Sequence, residues 1–187
     1  MFKGKCIIFS APSGSGKTTL VKYLLNQKEL NLSFSISATT RQRRDGEVQG
    51  KDYFFKTKSD FKKLINNSEF LEHEEVYDDV FYGTLESEVI KQLETQNVIF
   101  DIDVIGGLSI KKEFPESTLT VFLCPPSLEE LENRLRKRGT DSEGKIKIRL
   151  SKASKEMSMS MLYDYAIENH NLEETVAKVK TLINNFL

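Results

Sequence analysis

The chain has 187 residues, of which 39% are hydrophobic and 29% charged, as expected for a soluble globular protein with one substantial core. Its 27 basic and 28 acidic residues give a formal net charge of -1, so broad attraction to nucleic acid or to an anionic membrane is not indicated. The sequence contains no apolar run as long as a membrane span, and no signal peptide is expected before the first motif. These observations predict a cytoplasmic protein.

The first elements in chain order predict a phosphate-binding loop. The apolar run Cys6–Phe9 is typical of a buried parallel strand, and the spacing of apolar residues over Leu20–Leu25 is typical of one face of a helix. Between them, SGSGKTT at Ser13–Thr19 completes a P-loop pattern in its expected strand-to-helix context. The alternative is a serine- and glycine-rich turn before a helix, which the joint match of strand, glycines, lysine and threonine disfavours.

The residue types of this loop suit phosphate binding. Glycines let backbone N–H groups face inward, and the following helix adds its unpaired N–H groups and the positive end of its dipole. Lys17 is expected on the outer phosphates, and the hydroxyl of Thr18 is expected to ligate the Mg2+ that bridges them. Ala11 stands where the pattern begins with glycine, and we expect it to be tolerated if its φ is negative.

A basic loop follows the strand predicted at Leu32–Ser37. Arg41, Arg43 and Arg44 lie within four residues, and guanidinium groups bind phosphate oxygens through paired hydrogen bonds. Taken alone, this run is equally compatible with a solvated or nucleic-acid-binding loop. From about residue 39 to residue 84 the predicted elements are short and rich in aromatic residues, which indicates a lobe inserted into the main fold.

Regular alternation of helices and strands returns after this lobe. The predicted elements are helices at Glu86–Thr95, Ile105–Lys112, Leu128–Arg138, Ile146–Met161 and Val176–Phe186, strands at Val98–Ile102, Leu119–Leu123 and Asp164–Glu168, and a flap at Thr140–Lys145. This order predicts an α/β fold with a central parallel sheet covered by helices on both faces. Asp101 and Asp103 end a buried strand, at the edge where such sheets bind ligands.

Several side chains receive local predictions. Ser127 and Glu130 are expected to form a capping box at the start of a helix. The methionines near the end of the Ile146–Met161 helix are expected to fill the core; they are Met157, Met159 and Met161. Cys6 and Cys124 are expected to be buried hydrophobes rather than metal ligands, and no catalytic role is assigned to either histidine.

Six segments together resemble the guanylate kinase family. They are SGSGKTT at Ser13–Thr19, SISATTRQRRDGEVQGKDYFF at Ser35–Phe55, EFLE at Glu69–Glu72, YGT at Tyr82–Thr84, DID at Asp101–Asp103 and RLRKRGTDSE at Arg134–Glu143. The second segment is far more specific than the P-loop, which many unrelated NTPases share. The resemblance covers essentially the whole chain and implies a single domain of P-loop NTPase fold with three layers. Its implied parts are a core (1–38, 85–137 and 150–187), a GMP-binding lobe (39–84) and a mobile lid (138–149).

The resemblance implies transfer of the terminal phosphoryl group of ATP to GMP, giving ADP and GDP, with Mg2+ as cofactor. The implied ATP-binding residues are Ala11, Pro12, Ser13, Gly14, Ser15, Gly16, Lys17, Thr18, Thr19, Arg134, Arg138 and Asn169, the last near the adenine. The implied guanine-reading residues are Ser37, Glu72, Thr84 and Asp103, and the implied clamp on the GMP phosphate is Arg41, Arg44, Tyr53 and Tyr82. The implied catalytic residues are Lys17, Arg41, Arg44, Arg138 and Arg149. Mg2+ is expected on Thr18, with Asp101 contributing through water, and no nucleic acid, membrane or obligatory protein partner is implied.

The carboxylates suit guanine on chemical grounds as well. Guanine presents a ring N–H and an exocyclic amino group side by side, so Glu72 and Asp103 are suitable acceptors, whereas adenine offers a bare ring nitrogen at that place. Ile105 stands where the family commonly has glutamine, and we expect at most an altered affinity for GMP from this difference.

Two alternatives from other classes are disfavoured. An inactive guanylate-kinase-like interaction module would bind protein partners, but such modules typically lose the P-loop and nucleotide-binding residues that this chain keeps. A regulatory GTPase would carry an NKxD-type guanine loop, which the sequence does not contain. An active kinase whose lobe and flap close over both nucleotides, excluding water, is the favoured hypothesis.

Overall fold

The computed structural model describes residues 2–77, 79–139 and 141–187, in which strands and helices alternate along the chain. The strands are β1 (Cys6–Ser10), β2 (Leu32–Phe34), β3 (Ala38–Thr39), β4 (Phe54–Phe55), β5 (Phe70–Tyr77), β6 (Val80–Leu85), β7 (Asn97–Asp101), β8 (Thr118–Cys124) and β9 (Tyr165–Glu168). The helices are α1 (Lys17–Leu25), α2 (Lys58–Asn66), α3 (Glu86–Leu93), α4 (Val104–Glu113), α5 (Leu128–Arg138), α6 (Glu143–Ser158) and α7 (Leu172–Phe186). Short 3-10 helices lie at Lys28–Leu30, Pro115–Ser117 and Ser160–Leu162.

The large sheet has five parallel strands in the order β2-β7-β1-β8-β9. Strand β1 lies in the middle, where Cys6 pairs with Val98 of β7 on one side and with Thr118 of β8 on the other. Because the carboxyl ends of parallel strands meet at one edge of the sheet, the P-loop after β1 and the aspartates after β7 lie side by side.

Helices cover both faces of this sheet. Side chains of β1 alternate between the faces, so Ile7 and Phe9 pack with α1 and α7, whereas Cys6 and Ile8 pack with α3 and α4. All four of these side chains are fully buried. The arrangement confirms the three-layer α/β fold with a central parallel sheet.

A second sheet forms what we call the small lobe, residues 38–85. Its strand order is β4-β3-β6-β5, with β3 and β4 parallel and the other pairs antiparallel. Its core is aromatic: Phe61 of α2 stacks on Phe70 of β5 with ring centroids 4.5 Å apart. The sequence predicted short elements throughout this region, but β5 has eight residues and forms a hairpin with β6. Acidic residues are poor strand formers, so the acidic stretch of β5 did not predict a strand and the hairpin was missed from the sequence.

Element boundaries in the second half differ from the prediction. Helix α6 begins at Glu143 and ends at Ser158, so the second half of the predicted flap at Thr140–Lys145 is helical. Thr140 lies outside the described residues. Strand β2 ends at Phe34 rather than at Ser37.

Two side-chain predictions near α5 and α6 are partly wrong. Met157 and Met159 pack against a core cluster as expected, but Met161 is 83% exposed, because the chain leaves α6 before reaching it. Ser127 accepts a hydrogen bond from the N–H of Glu130 at 3.0 Å, as a cap should. The carboxylate of Glu130 binds Arg134 at 2.8 Å, however, so the capping box is only half formed.

We find no helix in the described ranges with the length and apolar character needed to cross a membrane.

Candidate active site

The P-loop curls between β1 and α1. Gly14 and Gly16 have φ angles of 100° and 94°, a region that residues with a side chain seldom adopt. Ala11 is not among the non-glycine residues with positive φ, so its replacement of glycine brings no backbone strain. Helix α1 begins at Lys17, which places its unpaired N–H groups next to the loop.

Lys17 and Thr18 both contact the end of β7. Lys17 Nζ lies 2.6 Å from Asp101 Oδ1 and donates a hydrogen bond to the carbonyl of Ile102 at 2.8 Å. Thr18 Oγ1 donates to Asp101 Oδ2 at 2.9 Å. The side chains of Lys17 and Asp101 are only 16% and 17% exposed, so water screens their interaction weakly.

The chemistry of this corner fits a magnesium ion. A hydroxyl and a carboxylate side by side are hard oxygen ligands, and Mg2+ in phosphoryl-transfer sites takes one or two carboxylates plus phosphate oxygens rather than a full protein cage. Within residues 2–77, 79–139 and 141–187, no cluster of three or more His, Cys, Asp or Glu side chains suited to a metal occurs.

An open cavity of about 950 Å³ lies over the P-loop. The loop forms one wall, the ends of β7 form the floor, and the far side carries basic residues. Those basic residues are Arg138, Lys145, Arg149 and Lys152. A cavity of this size and charge suits a polyphosphate ligand.

Arg149 of α6 reaches across this cavity to the P-loop. Its guanidinium donates a hydrogen bond to Ser13 Oγ, and its Nε lies 3.2 Å from Asp141 Oδ2. The side chain of Asp141 is 7% exposed and that of Arg149 is 36% exposed, so a buried carboxylate holds a partly exposed guanidinium in place. Arg138, at the end of α5, lines the same cavity. The two arginines predicted for the lid therefore line the same cavity as the P-loop.

A second cavity, of about 410 Å³, lies between β5 and the start of α4. Asp103 caps α4, because its Oδ1 accepts hydrogen bonds from the N–H groups of Ile105 and Gly106 at 2.8 and 3.0 Å. Glu72 accepts a hydrogen bond from the hydroxyl of Thr84. Burial raises the pKa of Glu72 to about 7, and the negative charge of Asp103 contributes in the same direction.

The residues predicted to clamp a phosphate lie in the small lobe. Arg41 binds Glu47 through two hydrogen bonds of 2.6 and 3.1 Å and lies 5.2 Å from the ring centroid of Tyr53. The rings of Tyr53 and Tyr82 are 5.9 Å apart. The ion pair raises the pKa of Arg41 above its ordinary value and lowers that of Glu47. Arg44 is exposed, and its backbone N–H also binds Glu47, at 2.8 Å.

Comparison with known proteins shows the family to which this chain belongs. The family model described as guanylate kinase matches residues 3–186. The chain belongs to the guanylate kinase family. It is 53% identical over 185 residues to a guanylate kinase of Bacteroides thetaiotaomicron, covering 98% of this chain and 90% of the relative. It is 49% identical to a guanylate kinase of Porphyromonas gingivalis, with 98% of each chain covered.

A solved structure agrees with these sequence matches. The crystal structure of guanylate kinase from Anaplasma phagocytophilum superposes with a TM-score of 0.73 at 30% identity, covering 99% of this chain and 87% of that one. The family, the P-loop NTPase fold and the enzyme class predicted from the sequence are confirmed. Nothing in these comparisons favours the inactive interaction module.

Thirteen of the 22 predicted site residues line the two cavities, and nine do not: Ser15, Ser37, Arg41, Arg44, Tyr53, Tyr82, Thr84, Arg134 and Asn169. Arg134 binds Glu130 and the carbonyl of Asn169, and neither Arg134 nor Asn169 lines a cavity. Ser37 is partly buried, and its carbonyl accepts a hydrogen bond from the N–H of Phe54 at 2.9 Å.

Two residues at these sites were missed by the sequence analysis. Glu47 binds Arg41 and the backbone of Arg44. Its position in the sequence, three residues after Arg44 in the basic loop, could have indicated this role. Gly106 makes room for the two carboxylates, because a Cβ there would lie 3.0 Å from Glu72 Oε2 and 3.1 Å from Asp103 Oδ2. Two consecutive glycines within a predicted helix were the available signal, since glycine costs about 1 kcal/mol in a helix interior.

Proposed function

We propose that the enzyme holds ATP over the P-loop and GMP in the second cavity, and transfers the terminal phosphoryl group between them. The single observation that supports this division is that Asp103 lines both cavities. The two spaces therefore adjoin at the end of β7, so nucleotides held in them lie next to each other. Holding two reactants in this way supplies much of the acceleration in phosphoryl transfer.

On the donor side, the role of the protein is to position and neutralise phosphates. Lys17 and the P-loop N–H groups bind the outer phosphates, and Arg138 and Arg149 approach from the opposite side of the cavity. Thr18 and Asp101 are the residues that would hold Mg2+. When bound, the ion supplies positive charge that neutralises the phosphate oxygens.

On the acceptor side, Glu72 and Asp103 accept hydrogen bonds from the two donors of guanine, and the hydroxyl of Thr84 donates to Glu72. Ser37 is assigned to guanine by the resemblance alone. The GMP phosphate binds to the clamp of the small lobe, which comprises Arg41, Arg44, Tyr53 and Tyr82. A guanidinium has five N–H donors, so Arg41 can keep its carboxylate partner and still bind phosphate. No general base is needed, because the GMP phosphate is already an anionic nucleophile.

An acceptor panel tests this function. ADP formation with ATP and Mg2+ is measured with GMP, AMP, CMP and UMP in separate reactions, and we expect turnover with GMP alone. Circular dichroism confirms that the protein is folded. Folded protein that gives no turnover with any acceptor would contradict the proposal and favour an interaction module.

The raised pKa of Glu72 predicts that GMP use depends on pH. Above pH 7 the side chain is a carboxylate that accepts hydrogen bonds, whereas below pH 7 it carries a proton where guanine presents its own donors. Between pH 8 and pH 6 the ionised fraction falls roughly tenfold for a pKa of about 7, so we expect the KM for GMP to rise by about that factor.

The control for this prediction is the Glu72→Gln variant, which cannot titrate at this position. The GMP phosphate itself titrates near pH 6, so any slope that the variant retains belongs to the ligand or to other groups. Equal pH slopes for the two proteins would show that Glu72 does not set the pH dependence.

The cytoplasmic location, the domain boundaries, the mobility of the lid and the absence of an obligatory protein partner stay predictions from the sequence.

A further inference from the structure

Asn169 lies beneath the P-loop rather than in the cavity above it. It follows β9, is 6% exposed, and its side-chain Nδ2 donates a hydrogen bond to the carbonyl of Ser15 at 2.8 Å. Its Oδ1 accepts a hydrogen bond from the hydroxyl of Thr175 at 3.0 Å. A backbone carbonyl can only accept, so the amide nitrogen must face Ser15 and the orientation of the side chain is fixed.

The backbone of Asn169 is held as firmly as its side chain. Its N–H donates to the carbonyl of Cys124 at 2.8 Å, and its carbonyl accepts from Arg134 at 3.1 Å. Strand β8, helix α5 and helix α7 therefore all contribute to placing one amide group under the loop.

This amide determines the direction of one peptide unit of the P-loop. Ser15 is fully buried between Gly14 and Gly16. A trans peptide directs its C=O and N–H to opposite sides, so binding the carbonyl of Ser15 from below directs the N–H of Gly16 away from Asn169. Gly16 lines the cavity and Asn169 does not. A Cβ on Gly16 would lie 2.6 Å from Asn169 Nδ2, so the contact also requires glycine there.

We propose that Asn169 is a positioning residue for phosphoryl transfer, which orients the Ser15–Gly16 peptide so that the N–H of Gly16 points at the phosphates of ATP. This inference rests on the proposed placement of ATP over the P-loop. It gives Asn169 a different role from the adenine contact implied by the resemblance, because both ends of its side-chain amide already bind the protein.

The Asn169→Asp variant tests this role with little change of shape. A carboxylate cannot donate to the carbonyl of Ser15, so the peptide loses its anchor and faces a negative charge. We expect kcat/KM for ATP to fall about 10- to 100-fold, as for the loss of one partner from a buried hydrogen bond, with the KM for GMP within about twofold of wild type.

A series of phosphate donors separates positioning from base recognition. With ATP, GTP and CTP as donors, positioning predicts the same fold-reduction for all three, because they share the triphosphate. Contact with adenine predicts a loss confined to ATP. The kcat/KM for ATP divided by that for GTP is measured in both proteins. The same ratio in wild type and Asn169→Asp supports the proposal, and a much lower ratio in Asn169→Asp overturns it.

Calorimetric binding of inorganic tripolyphosphate distinguishes this inference from the proposed function. We expect wild type to bind it and Asn169→Asp to bind it about 10-fold more weakly. If wild type does not bind tripolyphosphate at all, the placement of ATP over the P-loop is wrong. If both proteins bind it equally, the placement stands and the role of Asn169 is wrong.

A milder variant keeps the test valid if Asn169→Asp does not fold. Thr175→Val removes the hydroxyl that holds Asn169 Oδ1, and we expect a smaller loss, about 3- to 10-fold, in the same affinity for tripolyphosphate. Thr181→Val is the matched control, since Thr181 is exposed on the same helix and its hydroxyl donates to the carbonyl of Ala177 within that helix. Identical affinities for the Thr175 and Thr181 variants would overturn the proposal.

Discussion

Replacing Lys17 by alanine is expected to reduce kcat for GMP phosphorylation by at least about 10²- to 10³-fold, the loss seen when one preorganised donor to a developing negative charge is removed. The ammonium of Lys17 lies 2.6 Å from Asp101 in a partly shielded corner. Its removal deletes the cation that the P-loop itself supplies and leaves the carboxylate of Asp101 without its ion-pair partner, so that this negative charge repels phosphate. A coupled assay of ADP formation measures the effect.

The control is Lys22→Ala, which removes an exposed lysine from the same helix. Lys22 lines neither cavity. We expect its kcat to match wild type, which shows that α1 tolerates the loss of a lysine. Wild-type turnover in the Lys17 variant would remove Lys17 from the phosphate site and would call the donor assignment into question.

Glu72→Gln is expected to raise the KM for GMP by about 10- to 100-fold and to leave the KM for ATP unchanged. In the proposed site the carboxylate accepts hydrogen bonds from guanine, whereas the glutamine amide presents a donor of its own, and a mispaired buried hydrogen bond costs about 1–3 kcal/mol. Initial rates with each nucleotide varied in turn measure the two constants. Equal losses for ATP and GMP would place Glu72 outside the guanine site.

Thermal unfolding of Glu72→Gln distinguishes a loss of GMP recognition from misfolding of the variant. The pKa of Glu72 in the folded protein, about 7, lies above its value in the unfolded chain. At pH values between these two pKa values the folded state binds more protons than the unfolded state. The contribution of Glu72 to the free energy of unfolding therefore decreases as the pH rises toward about 7. Glutamine removes this unfavourable buried charge, so the variant should unfold at the same temperature as wild type or higher at pH 8. Glu75→Gln, an exposed change on the same strand, is the matched control for GMP use.

The elements that the sequence predicted well are those whose signals are local. Strand β1 and the loop after it follow from an unbroken apolar run and a fixed spacing of glycines, and the observed φ angles of Gly14 and Gly16 require that spacing. The β5–β6 hairpin was not predictable in this way. Its acidic residues oppose strand formation, and the packing of Phe70 on Phe61 of α2 stabilises it from another part of the lobe.

At the site, residue types were predictable and their partners were not. A resemblance identifies Arg41 and Glu72 by position, but it does not show that Glu47 holds the first or that Gly106 makes room for the second. Such contacts depend on how distant segments align once the fold is formed. The contact between Asn169 and Ser15 joins positions 154 residues apart, and a local sequence pattern cannot predict a contact over that distance.

The place of β1 at the centre of the large sheet has a consequence for biosynthesis. A ribosome makes this strand and the P-loop well before the neighbours of β1, which are β7 and β8, and before β9 with Asn169 behind it. Pairing strands so distant in the chain is slow, because the intervening loops must close before the contacts form. A nascent chain that ends before β9 therefore carries the nucleotide-binding motif without the amide that orders it. Tight ATP binding should accordingly mark a chain in which β9 has already joined the large sheet.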